Sequence, residues 1–189
     1  MIYQPYLIAK GRIVNHRTLG MIGFLLAGGF LFTGISLLDI PLKLIASSGP
    51  DSPGPPPMFY YGTLVVEFLL TVATAVAVLQ SIIHRKDVQN HSWWLICSGF
   101  YMMGPALGRG MIRLWDLVLP PDQFPIPWIF GSTELIYVVL LILFARKFAS
   151  LRHPATILGF SLVVVRLLRF PIGSNEAVQQ FLDRVIQWM

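Results

Sequence analysis

HSWWLICSGFYMMGPALGRGMIRLWD, residues 91–116, decides how this chain folds. The stretch is apolar enough to cross a bilayer, yet it carries His91, Arg109, Arg113 and Asp116. His91 and Arg109 are eighteen residues apart, five turns of an α-helix, so they share one face. Arg113 and Asp116 follow on that face at i+4 and i+7. A charge at mid-membrane costs about 2.5–3.5 kcal/mol on insertion scales, so these side chains need partners within the protein or contact with water.

The rest of the composition agrees with a membrane setting. Of 189 residues, 55% are hydrophobic and 12% charged, and the mean hydropathy is +0.68. A soluble domain carries roughly twice that share of charge, about 25%. The length suits one transmembrane helical-bundle domain covering residues 1–189. Cys97 is the only cysteine, which excludes an internal disulfide or a multi-cysteine metal site. The net charge of +5 reflects basic flanks of membrane helices rather than a nucleic-acid surface.

Working outward, the pattern predicts five transmembrane helices, at about 18–40, 58–83, 91–118, 128–147 and 154–170. Residues 1–17 form a basic lead-in. Its following apolar run of about twenty residues exceeds a signal-peptide core, so an uncleaved helix is expected. Gly20, Ala27 and Gly34 recur every seven residues as a smooth stripe. SSGPDSPGPPP and PPDQFPIP are proline-rich and belong outside the hydrocarbon. Pro105 is expected to kink the third span, and Gly104 and Gly108 form a small-residue packing pair. The last span is barely long enough to cross. Ala177, Val178, Phe181, Leu182, Val185 and Trp188 then fit a C-terminal amphipathic surface helix.

Lysine and arginine counts give an orientation. Lys10, Arg12, Arg17, Arg85, Lys86, Arg146, Lys147 and Arg152 fall on one side, and Lys43 and Arg184 on the other. Eight against two places the N-terminus in the cytoplasm and, with five spans, the C-terminus outside. A bacterial inner membrane is the expected location. Trp93 and Trp94 then belong to the inner interface, Trp115 and Trp128 to the outer one.

Two polar groupings emerge. Glu67, Arg109, Glu134 and Arg166 all fall in the outer half by residue counting along their spans. Arg113 and Arg169 lie a turn higher, and Thr63, Thr71 and Thr74 share a face with Glu67. Pairing both glutamates with Arg109 and Arg166 nearly cancels the charge. Glu67 and Arg109, on antiparallel neighbours, are the pair expected to meet. The surplus arginine invites an anionic guest: a carboxylate, a phosphate or a lipid head group. Glu67, Arg109, Arg113, Glu134 and Arg166 are therefore the candidate ligand-binding residues. Structural ion pairs that fix helix register, and a proton or substrate pathway, are the other readings of the same residues.

The second grouping is His16, His84, His91 and His153, at the inner ends of the spans. His16 and His91 begin spans one and three and could hold a haem b iron between them. Lipid-phosphate binding and helix capping are the plainer alternatives for interfacial histidines. No hydrolase elbow, phosphate loop, dinucleotide fingerprint or HExxH motif is present. Acid–base chemistry in a Glu–Arg–His cavity remains a reading, but nothing specifies a substrate. The leading expectation is non-catalytic binding of a small anionic or lipid-like ligand, or of a partner subunit, among membrane lipids.

The chain resembles a family of uncharacterised bacterial multi-span inner-membrane proteins that begin QP and place HRxLG at the first span, here His16, Arg17, Leu19 and Gly20. HRKDVQNHSWWL is similar to the family's basic loop followed by His and a bulky residue, here His91 and Trp94. Arg109, the acidic Glu67 and Glu134, and the element Arg152, His153 and Pro154 fall at corresponding places. The same pattern is distantly similar to a multi-span domain of unknown function, from which the final spans depart. The resemblance implies the bundle architecture and these residues without an activity.

Overall fold

The computed structural model describes residues 10–47, 55–118 and 126–188. Most of the basic lead-in and of the two proline-rich loops lies outside these. All regular structure among the described residues is helical. The chain divides into two compact units, Met1–Leu37 and Leu38–Met189. The first contains α1, Ile13–Leu37. The second contains α2 (Asp39–Ser47), α3 (Pro57–Ile83), α4 (Val88–Asp116), α5 (Ile126–Phe148), α6 (Pro154–Leu167), α7 (Arg169–Gly173) and α8 (Glu176–Trp188).

Local chemistry sets the helix ends. Pro57 opens α3 at the first turn, where the missing N–H costs nothing and φ is already helical. The turn His84–Lys86 follows, and Asp87 then caps α4 by accepting from Gln89 N and Asn90 N, each at 3.1 Å. Pro154 opens α6, with His153 as its cap. Within α2, Asp39 and Lys43 pair one turn apart.

Segments Thr18–Ser47, Pro57–Ile83 and Trp128–Phe148 are long and apolar enough to cross a membrane. α4 has 29 residues, which is long enough, but it is less apolar. α6 has 14 residues and rises only about 21 Å. The expected fifth span over 154–170 is broken at Leu168, where α6 ends and the short α7 begins. α4 runs unbroken through Pro105 to Asp116.

The core of the second unit is a continuous set from α3, α4, α5 and α6, including Val66, Leu70, Ala77, Trp93, Cys97, Tyr101, Tyr137, Leu141 and Ala155. Trp93 and Trp94, in the first turns of α4, are packed into this core at 1% and 7% exposure. Trp93 Nε1 donates to Thr156 Oγ1 (2.9 Å), which donates on to the Ser150 carbonyl (2.9 Å). Tyr101 OH donates to the Ala155 carbonyl at 2.5 Å. These bonds tie the start of α6 to α4. At the opposite end, α3 and α7 approach at backbone distance. A Cβ on Gly173 would lie 1.8 Å from the Met58 carbonyl oxygen, and one on Gly62 would lie 2.0 Å from that of Arg169. Only glycine permits this approach. Tyr61 OH donates to Asp183 Oδ1 at 2.5 Å, which holds α8 on α3.

Candidate functional site

Each helix that builds the polar cluster buries one stripe, and the charged side chain stands at the end of it. On α5 the stripe is Glu134, Tyr137, Leu141 and Ala145, all buried. On α6, Ala155, Gly159, Leu162 and Arg166 are buried. Helical spacing puts each set on one face. The two stripes meet, and Arg166 Nη2 lies 3.0 Å from Glu134 Oε2. Their side chains are 3% and 9% exposed, so this is a buried ion pair. The contact is at charge-assisted hydrogen-bond distance with the N–H off-axis, so Coulomb attraction dominates it.

The Arg166 guanidinium also lies over the Tyr137 ring, 4.1 Å from the centroid, a cation–π arrangement. On its other side is α4, where a Cβ on Gly104 would come within 2.5 Å of Nη1. Gly104 thus gives the guanidinium its room. Its expected partner Gly108 has nothing within 4 Å of its Cβ position. Nε, Nη1 and Nη2 of Arg166, Nε of Arg169, and the hydroxyls of Tyr137 and Thr63 are buried without a hydrogen-bond partner among the described residues. Arg169 sits against two rings, 4.8 Å from Phe130 and 5.4 Å from Phe59.

Glu67 is half-buried on α3. Arg169, Arg109 and Arg166 all act on it electrostatically, Arg169 the most. The expected Glu67–Arg109 ion pair does not form within 4.0 Å, and Arg109 is exposed. The physical reason is helix rotation. The buried face of α4 runs through Trp93, Cys97 and the site of Gly104, and Arg109 lies about 140° around the helix from Gly104 at 100° per residue. Arg113 is exposed as well and sits 3.8 Å from Asp116 on its own helix. The buried pair joins Glu134 to Arg166, with Arg169 rather than Arg113 nearby. Tyr137 and Gly104 complete the arrangement. The heptad-like spacing of Glu134, Tyr137 and Leu141 was the sequence signal for the tyrosine.

The histidines at the other end are occupied locally. His84 Nδ1 donates to the Gln80 carbonyl at 2.8 Å. His91 Nδ1 donates to the Ser81 carbonyl at 2.7 Å, which places its proton on Nδ1 and leaves the lone pair on Nε2. The side chain of His16 lies outside the described residues. No group of three or more His, Cys, Asp or Glu able to hold a metal occurs among the described residues. His153 uses both ring nitrogens: Nδ1 accepts from Ala155 N at 3.1 Å, and Nε2 lies 2.7 Å from Asn90 Oδ1. Asn90 Nδ2 in turn donates to Asp87 Oδ2 at 2.6 Å. Hydrogen bonds from Asn90, backbone first and then side chain, hold the Asp87 carboxyl below its ordinary pKa. Burial chiefly, helped by the neighbouring His84, lowers that of His153.

No family model, curated protein or solved structure matches the chain.

Proposed function

We propose that this is an integral membrane protein of the bacterial inner membrane that binds a small anionic or lipid-like ligand, without catalysis, through the Glu67–Glu134–Arg166–Arg169 cluster. The observation that carries the reading is Arg166: a permanently charged guanidinium, 3% exposed, with Glu134 its one carboxylate at ion-pair distance and Nε and Nη1 without a well-aligned acceptor among the described residues. An unmet buried donor costs about 1–3 kcal/mol, more when charged, so donors left this way favour an acceptor-rich guest. The charges agree. Within the cluster Arg166 and Arg169 balance Glu67 and Glu134, and the exposed Arg109, which also acts on Glu67, adds positive charge beside it. That edge of positive charge favours an anionic guest such as a carboxylate or a phosphodiester head group.

This reading takes five passes through the bilayer with the N-terminus in the cytoplasm. α4 supplies one by its length, and α6 with α7 supplies the last. It keeps the resemblance to multi-span bacterial membrane proteins as its family proposal. A partner subunit bringing a carboxylate is the same chemistry from another source. The test is the thermal stability of detergent-purified protein as inorganic phosphate, acetate or phosphatidate-containing micelles are added. A saturable rise in Tm with one of these, absent when Arg166 and Glu134 are both methionine, supports binding. No rise with any of them removes the proposal.

The alternative, haem binding with His91 as one ligand, draws on one observation. His91 donates through Nδ1 to a backbone carbonyl, the arrangement that orients a histidine to bind metal through Nε2. A Soret band in the purified protein would favour it, and a colourless protein removes it.

A further inference from the structure

We propose that His153 is a proton-operated latch that holds the start of α6 against the start of α4 while neutral and releases it when it takes a second proton. The geometry fixes the neutral form. The Ala155 N–H points at Nδ1, so Nδ1 must keep its lone pair, and the proton sits on Nε2 and is donated to Asn90 Oδ1. Asn90 cannot reverse its amide, because its Nδ2 donates to Asp87 Oδ2. The imidazole therefore has one acceptor role and one donor role, and a proton added at Nδ1 abolishes the first.

Three consequences follow at the same place. The cap of α6 is lost, with an N–H of its first turn left unmet. A positive charge appears at the positive end of a helix dipole. The Ala155 and Thr156 segment, which carries the bonds from Tyr101 and Trp93, loses its anchor. Neighbouring charges do not cancel the effect. On the α3–α4 turn, His84 opposes a second positive charge and Asp87 favours it. Asp87 is already engaged by Gln89 and by the backbone and side chain of Asn90. On α4, His91 turns to Ser81 of α3, and Trp94 packs edge-on to the ring at 5.7 Å. Arg152 adjoins it in sequence, and Arg146 and Lys147 are exposed in the last turn of α5. Burial together with His84 outweighs Asp87 at this ring, so protonation is resisted at neutral pH and achieved in acid.

The sign is that of a base whose folded pKa is depressed. The unfolded chain binds the proton more readily, so the latch's contribution is full above the ordinary histidine pKa of about 6.5 and is lost as pH falls below it. This inference stands apart from the anion site and survives if that site is empty of function.

The experiment is amide hydrogen exchange on the full chain in detergent, read as protection of the first turn of α6 between pH 8 and pH 5. In the natural protein, protection at Ala155–Leu158 should fall about fivefold as pH drops through this window, the ratio expected for loss of one N-cap. His153→Asn offers a neutral capping side chain with no proton to gain, and its protection should be flat with pH. Asn90→Asp places a carboxylate at Nε2, which favours the doubly protonated ring, so release should move to higher pH. Equal pH dependence in His153→Asn, no change in the natural protein, or an unmoved midpoint in Asn90→Asp would each overturn the latch. Should His153→Asn fail to fold, the Asn90→Asp midpoint alone decides.

Discussion

The two ends of this bundle treat polar groups in opposite ways. At the His153 end, the donors and acceptors of the helix caps close on one another: Asp87 takes three hydrogen bonds, Asn90 links Asp87 to His153, and His153 uses both nitrogens. At the Arg166 end, a buried guanidinium, a second arginine, a tyrosine and a threonine leave polar atoms unmet. α4 and α6 take part at both ends, and α5 and α7 supply Glu134 and Arg169 at the second. Satisfied polar networks fix a fold, whereas unsatisfied ones in a native structure call for an explanation such as a guest. One end is braced by closed hydrogen bonds, and the other holds polar atoms that lack aligned partners, which is where the proposed ligand would bind.

The contrast is broken most directly at the buried pair. Arg166→Met leaves the Glu134 carboxylate buried and alone, and should cost about 3–5 kcal/mol in detergent unfolding, whereas Glu134→Met with Arg166→Met together should recover most of it. Strictly additive losses would mean that the pair contributes nothing as a pair. At the satisfied end, Thr156→Val removes the acceptor of Trp93 Nε1, and the stranded indole N–H should cost about 1–2 kcal/mol, measured as a lower denaturation midpoint with an unchanged slope. Asp87 provides a pH test of the same end. Its carboxyl is held low by the bonds it accepts, so its capping contribution is complete above the ordinary carboxylate pKa and disappears as pH falls through the lowered one. The Tm of the natural protein should therefore drop between pH 5 and pH 3 more steeply than that of Asp87→Asn. The smallest effect belongs to Arg109→Met. The side chain is exposed and unpaired within ion-pair distance, so its loss should change stability by no more than about 0.5 kcal/mol. A loss comparable to that of Arg166→Met would put Arg109 in the buried cluster after all.

Much of this was legible in the chain, and the limits follow from particular residues. Pro57 and Pro154 act through their own backbone, and Asp87 through its carboxylate on the N–H groups two and three residues on, so the helix starts could be read locally. Glu134 and Arg166 were legible as intramembrane charges, and their pairing required only matched depth. The rotation of α4 was the harder matter. His91 and Arg109 share a face on an ideal helix, yet His91 is half-buried toward Ser81 while Arg109 is exposed. The stripe of Trp93, Cys97 and Gly104 sets the buried face, and reading it requires treating a glycine as a contact residue. The Lys and Arg count puts Trp93 and Trp94 at the inner end of their span but carries no sign of their burial; the partner Thr156, 63 residues away, holds the first in the core. The break at Leu168 had a local signal in Pro171, which has no N–H to donate to the Leu167 carbonyl; the close approach of Gly62 and Gly173 that seats α7 on α3 is long-range.

The central claim is that the unmet arginines hold an anion, and native mass spectrometry of the protein released from a bacterial membrane in mild detergent tests it most directly. The account predicts a bound carboxylate- or phosphate-bearing species on the natural protein that is lost from the folded Glu134→Met and Arg166→Met double variant. The same adducts on both proteins, or none on the natural one, would contradict it.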